Sequence, residues 1–302
     1  MNNHIKSSAS RRVFQVFNYI FLLFITFICI YPFWYVVIYT LSDPSKAGEV
    51  PPVLIPSGFS LENYKQILTL NGFLPSLGIS FARTVAGTVL SVGSCSFLGY
   101  LFSKENMPFR KFLYRFLILT MYISGGMIAT YIVIKSYGLL NTFWVYIIPG
   151  MISAYNVVLI KTYVESLPAS LEESAKLDGA GVLTIFTKII FPLSKPIIAT
   201  VAVFVAVGQW NSWFDNHIYT RGVEELKTLQ YLLYNYLNEA QRIAEQLRNA
   251  TSNADASVLM QEISSKGIRM SITVLAALPI FLFYPFMQKY FVKGIMVGAV
   301  KC

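Results

Sequence analysis

Leu167-Pro168-Ala169-Ser170-Leu171-Glu172-Glu173-Ser174-Ala175-Lys176-Leu177-Asp178-Gly179-Ala180-Gly181-Val182 is a polar stretch between two long apolar runs, and it continues to Ile189-Ile190-Phe191-Pro192. Pro168 ends the preceding helix or reorients the chain, because its ring blocks a continuing helix. Ser170 followed three residues later by Glu173 reads as a capping box, which predicts a helix running to about Leu177. Asp178-Gly179 then supplies a turn, glycine being able to take a positive φ. A second short helix is expected from about Val182 to Ile190, before Pro192. Two short helices at a near-right angle form a knob that can lie in a groove of a partner protein.

The apolar runs on either side decide the class of fold. A bilayer core of ~30 Å needs roughly 20 apolar residues in a helix. Six stretches qualify, near 14–41, 77–102, 112–134, 142–163, 196–214 and 270–291. The expectation is a single all-α integral membrane domain of six transmembrane helices. The first run follows Arg11 and Arg12 but is too long for a signal peptide, and no small-residue cleavage site follows before Asp43, so it is expected to be a retained anchor. Composition agrees: charged residues are 13% of the chain, against about 25% in soluble domains.

Orientation follows from where the basic residues lie. With the N-terminus in the cytoplasm, the inner connections hold fourteen lysines and arginines and five acids, whereas the longer outer connections hold nine and ten. Both termini are therefore expected inside, with the opening knob in a cytoplasmic loop, 164–195. With Arg83 inside the second run, this asymmetry accounts for the net charge of +9. No basic stripe or aromatic motif for nucleic acid accompanies it.

Several chemistries lack their residues. Cys29, Cys95 and Cys302 form neither a disulfide framework nor a CxxC site, and His4 and His217 are the only histidines, so no metal site is expected. The chain has no GxxxxGK[ST] phosphate loop, no Gly-x-Ser-x-Gly elbow and no HExxH helix. Enzyme activity is not expected, and any ATP chemistry belongs to a partner.

The outer segment 215–268 contains helical spacing over 226–247, with Leu229, Leu232, Leu233, Tyr236 and Leu237 on one side, and a loop-like stretch at 249–257. It reads either as a surface helical hairpin over the outer mouth or as a docking surface for an extracytoplasmic partner. Arg83, near the outer end of the second run, must snorkel, find a structural partner or face a path. Gln209, Trp210 and Asn211 could stack on and hydrogen-bond a sugar along a translocation path. They could equally belong to an interfacial aromatic belt.

Glu173-Ser174-Ala175, Gly179, Ile189 and Phe191-Pro192 resemble the EAA motif, E-A-A-x3-G-x9-I-x-L-P, of type I ABC importer permeases. Ser174 replaces an alanine and Phe191 a leucine, and the spacing matches throughout. Ser124-Gly125-Gly126, Thr130-Tyr131, Gly138-Leu139-Leu140-Asn141-Thr142, Trp210-Asn211-Ser212-Trp213-Phe214 and Tyr284-Pro285-Phe286 extend the resemblance to the MalG-like carbohydrate-uptake permeases, most of all the LplC/YtcP branch. Ala129 stands where that branch usually has proline.

The resemblance implies a MetI-like permease fold. It also implies a second homologous permease subunit, two ATPase subunits that bind ATP and Mg, an extracytoplasmic solute-binding protein and an oligosaccharide cargo. It places Leu171, Glu172, Glu173, Ala175, Asp178, Gly179, Ala180, Ile189 and Pro192 at the ATPase contact. It places the tail, with Gly294, Gly298, Ala299, Val300 and Lys301, at the ATPase interface. The rival expectation, an ion-coupled carrier working alone, would need carboxylates inside the runs, and none lies there.

Overall fold

The chain is described by a computed structural model over residues 9–49, 54–70, 72–249 and 266–284. In chain order the helices are α1 (Ala9–Thr40), α2 (Pro44–Glu49), α3 (Glu62–Thr69), α4 (Phe73–Ser103), α5 (Arg110–Leu119), α6 (Gly126–Ser136), α7 (Ala154–Glu165), α8 (Ser170–Leu177), α9 (Val182–Ile185), α10 (Phe191–Leu193), α11 (Lys195–Asn211), α12 (Phe214–Tyr219) and α13 (Leu229–Asn249). A last helix, α14, spans Lys266–Tyr284. The described residues contain no strand, only an isolated bridge between Ser42 and Phe59.

Among the described residues three helices are long and apolar enough to cross a membrane: α1, α4 and α14. The segment from Val182 to Leu193 together with α11 passes the same test as a pair bent by 83°. The chain divides into two units. The first comprises residues 1–70 and 236–275. Within it, buried Asn63 donates to the carbonyls of Thr40 and Ser42 (3.2 and 3.1 Å), and Tyr64 bonds Thr40 (2.8 Å), which fixes the chain reversal after α1. The most apolar 18-residue stretch of α1 buries no side chain, whereas Ile38, Tyr39 and Thr40 at its end are buried.

The second unit, 71–235 and 276–302, is built around α4, which packs on α7 and α11. The buried face of α4 is rich in small residues, Ser76, Ser80, Gly87, Ser91, Cys95, Ser96 and Gly99, with Arg83 and Val92 among them and the larger Phe73, Tyr100 and Phe102 at its ends. Small residues let helix backbones approach closely where lipid supplies no hydrophobic drive. A Cβ at Gly99 would lie 2.9 Å from Ile160 and 3.1 Å from the backbone nitrogen of Lys161. Below this contact, Cys95, Tyr100, Val157, Ile160, Ile185, Ile190 and Val201 share one core, and Ala175 of the knob belongs to it.

The helices differ from the expected spans in two runs. The stretch 112–134 is two helices, α5 and α6, separated at 120–125. The break falls at Ser124-Gly125-Gly126, where Gly126 takes φ +77°. In 142–163 only α7 is regular α-helix, preceded by a 3-10 turn at Phe143–Tyr146 and by Pro149-Gly150. Ser153 caps α7, accepting from the amide of Asn156 (3.4 Å). A proline without an N–H and a flexible glycine favour such a break over a continuous helix.

Two local expectations in the opening loop are corrected. Ser170 is not a capping residue. Ala169 already has helical dihedrals, its carbonyl accepts from the amides of Glu172 and Glu173, and no side-chain cap forms. Pro192 does not stop the second short helix either. The chain runs from α9 through a π-wound turn, Phe186–Ile190, into α10, and the amide of Phe191 reaches back five residues to Phe186. The wider turn accommodates a proline that cannot donate a regular helical bond. The corner comes two residues later, at Ser194.

Candidate functional site

α8 stands on a single buried residue, Ala175, and presents most of its other side chains outward. Its end is a Schellman motif: the amide of Ala180 bonds the carbonyl of Ala175 and that of Gly179 bonds Lys176, both at 3.0 Å. Gly179 has φ +78°, and nothing lies within 4 Å of where a Cβ would sit. Beside this turn Leu177 is 89% exposed, and at the other end of α8 Leu171 is 39% exposed. Glu173 and Asp178 are exposed on the same helix and turn, and the Glu173 carboxylate makes no ion pair or hydrogen bond among the described residues. An apolar tip flanked by free carboxylates suits a groove with an apolar floor and basic rim.

Glu172 behaves differently from its neighbour. It is half-buried, pairs with Lys104, accepts from the hydroxyl of Tyr100 (3.2 Å) and lies 3.6 Å from Lys176. Lys104 also sits 4.3 Å from the centre of the Tyr100 ring. Burial pushes the Glu172 carboxyl up, but the bond to Lys104, the charges of Lys104 and Lys176 and the Tyr100 hydroxyl outweigh it, so the group is held below the usual carboxylate range. A cleft of about 1,020 Å³ runs between α8 and the turn after α4, lined by Lys104, Glu105, Arg110, Glu165, Glu172 and Glu173.

A second site lies at the other end of the same unit. Arg83, 2% exposed, meets Asp215 through two bonds (2.5 and 3.1 Å). Its remaining donors reach Gln209 (3.0 and 3.2 Å) and the carbonyl of Ser212 (3.3 Å), and its guanidinium lies 4.5 Å from the centre of the Tyr146 ring. These groups wall a cavity of about 350 Å³, whose lining adds Ser91, Thr130, Ser153, Asn156 and Tyr219. Behind it, the Tyr146 hydroxyl donates to Leu226 (2.7 Å) and shares a 2.6 Å bond with Thr220.

Residues 95–214, which run from the middle of α4 through the knob to the start of α12, match the family described as binding-protein-dependent transport system inner membrane component. Protein LplC of Bacillus subtilis is 37% identical over 290 residues, covering 96% of this chain and 95% of its own. The chain belongs to this family. A second relative, the polygalacturonan/rhamnogalacturonan transport system permease protein YtcP of Bacillus subtilis, is 35% identical over 96% of this chain and 99% of its own. A solved bacterial ABC transporter involved in import of the acidic polysaccharide alginate contains a chain with a TM-score of 0.83 at 27% identity, over 94% of this chain and 99% of that one.

In this permease the sequence-derived residues separate into groups. Leu171, Glu173, Asp178 and Gly179 share the outer surface of the knob, whereas Glu172, Ala175 and Ala180 face its base. Ile189 packs against the core below, and Pro192 is exposed at α10. Arg83 and Gln209 meet at the cavity. Trp210 and Asn211 do not: Trp210 is buried and its indole donates to Ala276 (2.8 Å), and Asn211 accepts from Gln230 (3.4 Å). Gly294, Gly298, Ala299, Val300 and Lys301 lie outside the described residues, as do 250–265 of the outer segment.

Sequence reasoning missed Leu177, Lys104, Tyr100, Tyr146 and the role of Asp215. Leu177 had a signal, an apolar residue ending a polar helix beside a turn glycine. The others had none, since Lys104–Glu172 and Arg83–Asp215 join residues 68 and 132 positions apart.

Proposed function

We propose that this chain is a permease subunit of an ATP-driven importer of carbohydrate, taking an oligosaccharide. It pairs with a second homologous permease around one path and stands over two ATPase subunits that bind ATP and Mg. An extracytoplasmic solute-binding protein delivers the sugar. Six crossings with both termini cytoplasmic would use α5 with α6 as one broken crossing and the stretch ending in α7 as another. Relatives named for polysaccharide and alginate transport support the sugar class. The cavity supports it too, with hydroxyls, amides and tyrosine rings at its wall.

The reading rests above all on the outward face of α8. Leu177 and Glu173 are exposed on a helix whose turn and base are fixed, and they fall within the part of the chain that matches the family. In this reading α8 docks in a cleft of an ATPase subunit, and closure of the ATPases tilts the helices attached to the knob between inward and outward openings. In the same reading the tail 294–302 is a second ATPase contact.

Affinity purification from native membranes in mild detergent tests this. Wild type should carry a second permease and a Walker-motif ATPase, and Glu173→Arg and Gly179→Pro should lose the ATPase while keeping the second permease. Recovery of the chain alone, still active in ion-driven uptake, would overturn the proposal.

A further inference from the structure

Glu172 is the residue of the knob that the docking reading leaves unexplained. It lies beside Glu173 on a helix of eight residues, yet it turns away from the outward face and into the body of the protein. Its partners are Lys104, the C-cap of α4, and Tyr100 of the last turn of α4. The polarity is favourable at both ends: a cation at the C-terminus of α4 and an anion in the first turn of α8 each complement the helix dipole there.

Tyr100 makes the connection double. Its hydroxyl bonds Glu172, and its ring lies 5.5 Å from Phe186 in the π-wound turn; Phe186 in turn meets Phe97 one turn earlier on α4 (5.3 Å). Both halves of the knob, α8 and the run from α9 to α10, therefore attach to the same end of α4. On its open side the Gly179 turn has nothing within 4 Å of where a Cβ would sit, so α8 is held from its inner face, through Glu172 and Ala175.

We propose that Glu172 is a positioning residue that ties α8 to α4, so that motion imposed on the knob is delivered to α4 and not absorbed by the loops on either side. The inference rests on the docking reading above. Glu173 and Leu177 receive the push; Glu172, with Lys104 and Tyr100, passes it on. A charge-assisted bond with restricted solvent access is strong enough and directional enough for this role, and α4 carries Arg83 of the cavity at its other half.

The test uses the whole transporter, purified and reconstituted in proteoliposomes with its binding protein, and reads sugar taken up per ATP hydrolysed. Glu172→Gln, Lys104→Gln and Tyr100→Phe should each retain the ATPase on co-purification and lower the ratio about five- to tenfold. Glu172→Gln/Lys104→Gln should be no worse than either single variant, as expected of one shared bond. A ratio within twofold of wild type in Glu172→Gln overturns the tether, and so does loss of the ATPase, which would make Glu172 a contact residue. Additive losses in the double variant overturn it as well. Glu173→Arg serves as the separate control: if it keeps its ATPase, the docking reading fails, whatever Glu172→Gln does.

Discussion

Arg83 and Asp215, 132 positions apart, form an ion pair in which the cation is almost fully buried and the anion keeps 21% of its side chain exposed. The asymmetry predicts unequal mutants. Asp215→Leu strands a buried guanidinium and should cost about 3–5 kcal/mol. Arg83→Met leaves a carboxylate that water reaches and should cost distinctly less. The double variant should recover most of the loss. Thermal unfolding of the purified chain in detergent, compared across the three variants, checks the order.

Gly179 adopts φ +78° with open space around it. Strain, not collision, is therefore the cost of a side chain there. Gly179→Ala should destabilise the α8 turn by about 1–2 kcal/mol, and Gly179→Asn by less, since asparagine tolerates the left-handed region. Hydrogen exchange of the Gly179 and Ala180 amides, which close the Schellman motif, should accelerate in the same order.

Gly87 and Gly99 both lie on the contact face of α4 but should differ. The new methyl of Gly99→Ala meets the branched carbon of Ile160 and the backbone of Lys161, which cannot step aside, and about 1–3 kcal/mol is expected. At Gly87 the obstacle is the side chain of Gln209, at 2.8 Å. Gly87→Ala should cost less stability while pulling Gln209 from Arg83. Melting curves and a high-resolution structure of the Gly87→Ala variant test the two halves.

Leu177→Asp removes an apolar side chain that is 89% exposed. The melting temperature of the isolated chain should stay within about 2 °C, because surface changes of this kind rarely exceed about 0.5 kcal/mol. Co-purification of the ATPase should fall at least tenfold. A normal yield of ATPase would remove Leu177 from the docking face.

Acid should loosen the knob. The Glu172 carboxyl titrates below its ordinary value near 4.5 in the folded protein, so the folded state binds fewer protons than the unfolded state. Its contribution is therefore complete above that ordinary value and is lost as the pH falls through the folded value. Protection of the α8 amides should drop below about pH 4.5 in wild type and show no such step in Glu172→Gln.

Membrane class, the location of the knob and its turn at Gly179 were legible because each depends on neighbours in sequence: apolar run length, a proline, a glycine after a carboxylate. The breaks inside 112–134 and 142–163 were signalled by Gly125-Gly126 and Pro149-Gly150, but hydropathy averages over them. The inward turn of Glu172 was not legible. Two adjacent glutamates on a helix differ by about 100° in direction, and only the position of Lys104 on another helix decides which one is free. The residue type of Trp210 suits a path or an aromatic belt equally, and sequence gives no sign that its ring is buried with the indole bonded to the carbonyl of Ala276 in α14.

The bare face of α4 has a mechanical consequence. Where two helices meet through leucines and methionines, a small displacement of one can be dissipated as rotamer changes between them. Ser76, Ser80, Gly87, Ser91, Cys95, Ser96 and Gly99 offer few such rotamers, and at Gly99 the branched side chain of Ile160 and the main chain of Lys161 lie directly against it. Around Gly99 a shift of α4 therefore reaches α7 with little side-chain cushion in which the stroke could be lost.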